Sequence, residues 1–109
     1  MILRVSAKGD KVRELIMSGQ LRGEIIHRSQ IDTYSYFIVY EVYSFLNGNR
    51  MSISIVIHDK EDYTDVHIVS SGGGNGMIFK FDWGAGASFE EGIKNIFLNA
   101  KVHMEVIDH

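Results

Sequence analysis

Cysteine is absent from the chain, and with it go disulfides, thiol catalysis and every thiolate metal site. Proline is absent too, so the turns must be punctuated by the 11 glycines. No run approaches the ~20 apolar residues that a membrane helix needs. Met1-Ile2-Leu3-Arg4-Val5-Ser6 has one basic residue in a short alternating run and no apolar stretch of signal-peptide length. The expected compartment is the cytoplasm, and no membrane partner is expected. An excess of basic charge is also missing: 11 Lys+Arg stand against 14 Asp+Glu, for a formal net charge of -3. That removes the electrostatic footprint of a nucleic-acid partner.

What is present describes one packed domain over residues 1–109. Hydrophobic residues make up 45% and charged residues 23%, outside the range of disordered chains. At this size folding buries roughly two-thirds of the unfolded surface, enough for a core without covalent staples.

Ile2 to Ala7 reads as a strand, broken by Lys8-Gly9-Asp10. Asp10 is the expected N-cap of a two-turn helix carrying Val12, Leu15 and Ile16 on one face, with Gly19 just past its end. From Glu24 to Phe81 the period becomes two. Ile25 to Ile31 is a strand with Asp32-Thr33 as its turn, and Tyr36 to Phe45 is a long β-branched and aromatic strand. Asn47-Gly48 is a strong hairpin signal, since both residues tolerate positive φ. The returning strand places Met51, Ile53, Ile55 and Ile57 on one face and Ser52, Ser54, Val56 and His58 on the other. After a turn at Asp59-Lys60-Glu61-Asp62 come a strand from Tyr63 to Ser70, the run Ser70 to Gly76, and a strand Met77 to Phe81. Asp82 to Ala87 reads as a loop. Ser88-Phe89-Glu90-Glu91 then has the form of a capping box, opening an amphipathic helix with Phe89, Ile93, Ile96, Phe97 and Ala100 on one stripe. The tail from Lys101 extends that helix or forms a short final strand; its period does not decide.

The expected fold class is α+β: a two-layer sandwich of order β-α-β(5)-α, an antiparallel meander with two helices on one face. The order is similar at fold level to the TATA-binding-protein and helix-grip folds, a likeness that carries no function with it. One strand does not fit a monomer. Tyr36, Ile38, Tyr40 and Val42 lie on one side, yet Phe37, Val39, Tyr43 and Phe45 lie on the other. Two helices on one face leave that second side to a loop, to a partner chain or partly bare, and a homodimer is the expected arrangement.

Chemistry-bearing residues are sparse. Successive glycines aim backbone amides into a common concavity, so Ser70, Ser71, Gly72, Gly73, Gly74, Asn75 and Gly76 form a candidate anion-binding loop. The lysine and hydroxyl of a P-loop are missing after Gly76, and a plain hairpin connection is the competing reading. Trp83 is either a core plug or the wall of a small-molecule pocket between sheet and second helix. His58 and His67 fall on the outer face of neighbouring strands, near Asp59, Asp62 and Asp65. No metal-ligand spacing supports a site there, and no metal or cofactor is expected. Glu41 interrupts an apolar strand and calls for a partner such as Arg28. No GxSxG elbow supplies a nucleophile, so no catalytic residue is assigned.

Tyr43-Ser44, Gly48-Asn49-Arg50, Ser71-Gly72-Gly73 and Phe79-Lys80-Phe81 together resemble a family of small bacterial proteins classed as a domain of unknown function. The resemblance implies a cytoplasmic bacterial protein and supplies no activity, cofactor or site residue. The expected function is a non-catalytic self-associating domain with room for a small ligand between sheet and C-terminal helix. The alternative is a small hydrolase or isomerase with its site at the Ser70–Gly76 loop.

Overall fold

Alternating Met51, Ile53, Ile55 and Ile57 can bury one side of a strand only if neighbouring strands align their own apolar residues beside them. The computed structural model shows that alignment. It describes residues 1–43, 50–72 and 83–108, with side chains at all of these except 72 and 83–88. The elements in chain order are β1 (Ile2–Val5), α1 (Gly9–Ile16), β2 (Glu24–Asp32), β3 (Ser35–Tyr43), β4 (Arg50–Asp59), β5 (Thr64–Gly72), α2 (Trp83–Asn99) and β6 (Met104–Asp108). They form an α+β fold, a six-stranded sheet of order β2-β3-β4-β5-β1-β6 with both helices packed against it. Every pairing is antiparallel.

The inward rows run across the sheet: Tyr36, Ile57, Val66, Leu3 and Val106 in one, Ile38, Ile55 and Ile68 in the next, then Tyr40 with Ile53 and Val42 with Met51. Val12 and Ile16 of α1 and Phe89, Ile93, Ile96 and Phe97 of α2 close over them, all buried. Each fully buried aliphatic or phenyl group contributes about 1.5–3 kcal/mol. The Tyr40 ring meets Phe89 edge-on at 5.0 Å, and its hydroxyl donates to the Ile16 carbonyl at 2.8 Å, satisfying a terminal carbonyl of α1. The fully buried Thr64 hydroxyl donates to the Ala7 carbonyl at 2.7 Å.

Several boundaries differ from the sequence reading. Lys8, not Asp10, is the N-cap of α1, and Asp10 sits in the first turn with its carboxylate accepting the Lys11 amide at 2.9 Å. The Gly9 backbone packs against the Asp59 side chain, so the helix begins where β4 presents a carboxylate to it. The β2–β3 turn is Thr33-Tyr34, one residue later than expected, because the Asp32 carboxylate accepts the Tyr34 amide at 2.9 Å. α2 begins at Trp83, so residues 84–87 are helical and Ser88 lies inside the helix instead of capping it. Ala100 lies just past the end of α2 and is exposed. The tail resolves as β6, which pairs with β1. Asn47-Gly48 and the strand expected at Met77 to Phe81 lie outside the described residues; between the helices the described strands number four.

Candidate functional site

With both helices on one side, the other side of the sheet is a face that no described helix covers. Its composition follows from strand register. Two ladder rows cross its middle. One runs His27, Val39, Ser54, Val69; the other runs Ser29, Phe37, Val56, His67, Ile2 and reaches Asp108 at the β6 margin. From β2 to β1 these rows contain no lysine, arginine, aspartate or glutamate. Val69 is 60% exposed, while Ile2, Phe37, Val39 and Val56 are half-buried by their neighbours. His27 packs its ring on Phe37 at 5.5 Å and bonds the Ser29 hydroxyl at 3.0 Å.

From β2 to β1, charge on this face is confined to the rows on either side. At one end Glu24 stands opposite Glu41, and Arg50 reaches Glu41 at 2.7 Å. Arg50, not Arg28, is thus the partner of the strand carboxylate. Arg28 pairs in register with Ile38 and belongs to the helix side. Beside this row Arg22, Gly23, Glu24, Val42 and Tyr43 line an open recess of about 460 Å³.

At the other end a row crosses Asp32, Ser35, His58, Asp65, Arg4 and Glu105. The Ser35 hydroxyl lies 2.8 Å from His58 Nδ1. Arg4 binds Asp65 through two nitrogens, at 3.0 and 3.2 Å, and lies 4.2 Å over the Tyr63 ring. Asp65 holds the Arg4 guanidinium above its ordinary range, first by this hydrogen bonding. Asp32 lies below the usual carboxylate range, chiefly because the Tyr34 amide donates to it and Ser35 adds to that.

The serine–histidine pair is a feature the sequence reading missed, and only the β3–β4 register reveals it. It has the spacing of a nucleophile and its base. However, Ser35 is buried within the ladder, and the carboxylate opposite His58 is committed to Arg4. A third member that would orient the imidazole is therefore engaged elsewhere.

Of the residues singled out from sequence, Ser70, Ser71 and Gly72 are ladder residues of β5, opposite Ile53, Ser52 and Met51; the strand was expected to end at Ser70, and a loop at Ser71 and Gly72. Ser70 falls in an inward row. Ser71 faces outward, with its hydroxyl 2.9 Å from that of Ser52. The two hydroxyls do not share a face. Gly73, Gly74, Asn75 and Gly76 lie outside the described residues, as does the Trp83 side chain. His58 and His67 do project from the outer face of adjacent strands, as expected. Among the described residues no group of three potential ligands forms a metal site, and no helix is long and apolar enough to cross a membrane.

Fold and face together define a small α+β domain with one sheet side covered by helices and one that no described helix covers. The chain belongs to the family of unknown function DUF6054, whose model matches residues 5–101. No curated protein and no solved structure matches it.

Proposed function

We propose that this domain is a non-catalytic self-association module in which two copies pack face to face through their helix-free sheet sides. The observation that carries the reading is the pair of central rows free of Asp, Glu, Lys and Arg from β2 to β1, bordered on either side by charged rows. An apolar middle with a charged rim is the usual anatomy of a specific interface.

Size supports a second copy as the occupant. Four strands of nine or ten residues and two of four or five, spaced ~4.8 Å apart and rising ~3.3 Å per residue, present a face of roughly 700 Å². A standard interface buries about 800 Å² on each partner. Aligned packing of two such sheets brings their inner faces ~10 Å apart, with side chains interdigitating.

The sheet margins support face pairing over edge pairing. β2, at one edge, has register breaks between Ile25 and His27 and between Gln30 and Asp32. β6, at the other, is five residues long, carries Glu105 and Asp108, and pairs with a register break at Ile2/Leu3. Bulges, short strands and charges are the features that keep an edge from adding strands.

Sedimentation equilibrium of the full chain tests the reading. A dimer is expected, and Val69→Lys is expected to be a folded monomer. Val69 is already exposed, so the substitution puts charge into the middle of the face without disturbing the core. A wild-type chain that remains monomeric at high micromolar concentration overturns it.

A further inference from the structure

Three of the five histidines, His27, His58 and His67, project from the open face. His67 holds the distinctive position. It lies on β5, one of the two central strands of the sheet, in the row Phe37, Val56, His67, Ile2. Among the described residues of the open face it is thus the one titratable side chain with an aliphatic neighbour on each adjacent strand, in the middle of a band free of Asp, Glu, Lys and Arg from β2 to β1.

We infer that His67 makes the face-to-face dimer pH-dependent, its imidazole entering the interface neutral and, once protonated, driving the copies apart. The inference rests on the dimer reading above and adds its regulation.

A two-fold axis lying between two faces and crossing their centre brings central residues beside their own copies. His67 then meets its counterpart directly or about one strand spacing away, ~5 Å. Two imidazoliums there repel each other and lose solvent together, and neither effect exists in the monomer.

Within its own subunit, His67 has the following charged and titratable neighbours among the described residues. Asp65 is two residues along β5, and Arg4 on β1 is bound to Asp65 at 3.0 Å. His58 is its diagonal neighbour on β4, Asp108 stands beyond Ile2 on β6, and the Met1 amino group donates to the Ile68 carbonyl at 2.9 Å. These groups accompany His67 in the monomer already, before a second face arrives. The second imidazole and the excluded water supply the coupling.

The sign follows from proton counting. Each imidazolium must lose a proton to enter the interface, so association is favoured above the histidine range and weakened below it. Two protons per dimer give up to about a hundredfold rise in dissociation constant for each pH unit below that range.

Sedimentation equilibrium of the full chain at pH 7.5 and pH 5.5, with far-UV circular dichroism at both, reads this directly. The wild-type dissociation constant is expected to rise by at least about tenfold at pH 5.5. His67→Gln is expected to dimerise at both pH values with less than about threefold change, while His27→Gln retains the wild-type response. His67→Lys, charged at both, is expected to be a folded monomer at pH 7.5, which keeps the test decisive if pH 5.5 unfolds the chain. A pH response unchanged in His67→Gln, or a His67→Lys dimer, overturns the inference while leaving the dimer itself standing. A wild-type monomer at pH 7.5 overturns the dimer reading instead.

Discussion

Tyr40 joins three parts of the molecule. Its ring packs edge-on against Phe89 of α2, its backbone lies between β2 and β4, and its hydroxyl holds the Ile16 carbonyl at the end of α1. Burial pushes its phenol above the ordinary value, so it remains a neutral donor across the working pH range. Tyr40→Phe keeps the packing and strands the carbonyl. A loss of about 1 kcal/mol in urea unfolding is expected, and an unchanged midpoint would sink the assignment. Asp32 acts through charge. Its hydrogen bonds favour the carboxylate and depress its pKa in the folded state, so they add stability above the ordinary carboxylate range. That stability is lost as pH falls through the lower, folded value. The urea midpoint of wild type is therefore expected to exceed that of Asp32→Asn at pH 7, and the gap to close toward pH 3. A gap of equal size at both pH values would contradict the sign. The Tyr40 contacts were invisible in sequence because they join residues brought together only by packing between layers, whereas the Asp32–Tyr34 bond is local to its turn.

Glycine positions separate what elements need from what they tolerate. Gly23, entering β2, has φ +94°, and a Cβ there would lie 2.6 Å from the Glu41 carbonyl and 2.9 Å from Val42 Cγ2. Gly19 has a similar φ of +89° in open space. Alanine at 19 is expected to cost about 1 kcal/mol of backbone strain, and alanine at 23 roughly 2–4 kcal/mol, since it adds a steric clash with β3. Equal losses in paired denaturation curves would show that φ alone governs both. The strands from Glu24 to Ser70 were legible because a period of two leaves few alternatives when one side is buried. The start of α2 was not. Gly84, Gly86 and Ser88 are weak helix formers that read as loop and cap, yet the backbone continues the helix through them. The tail was ambiguous for a different reason. β6 is settled by its pairing with β1, about a hundred residues earlier in the chain, which no local window contains.

For the whole molecule, the decisive legible fact was that β3 carries apolar residues on both sides while the described helices cover only one. Register then added what sequence could not give: the outward residues of four neighbouring strands join it in two continuous rows. If those rows meet a second copy, stability depends on protein concentration. The thermal midpoint of wild type is expected to rise by a few degrees between about 5 and 500 µM, and that of Val69→Lys to stay constant. A wild-type midpoint independent of concentration would place the folded unit in the single chain. The position of β1 has a further consequence for synthesis. It is wedged between β5 and β6, with Ile2 in register with His67 on one flank and Asp108 on the other. Both strands that flank it follow it in the chain, so this segment waits for β5 before its slot exists. Such long-range closure is slow. In the interval the nascent β2–β5 meander holds out a greasy, unfinished margin, the kind of species that chaperones attend.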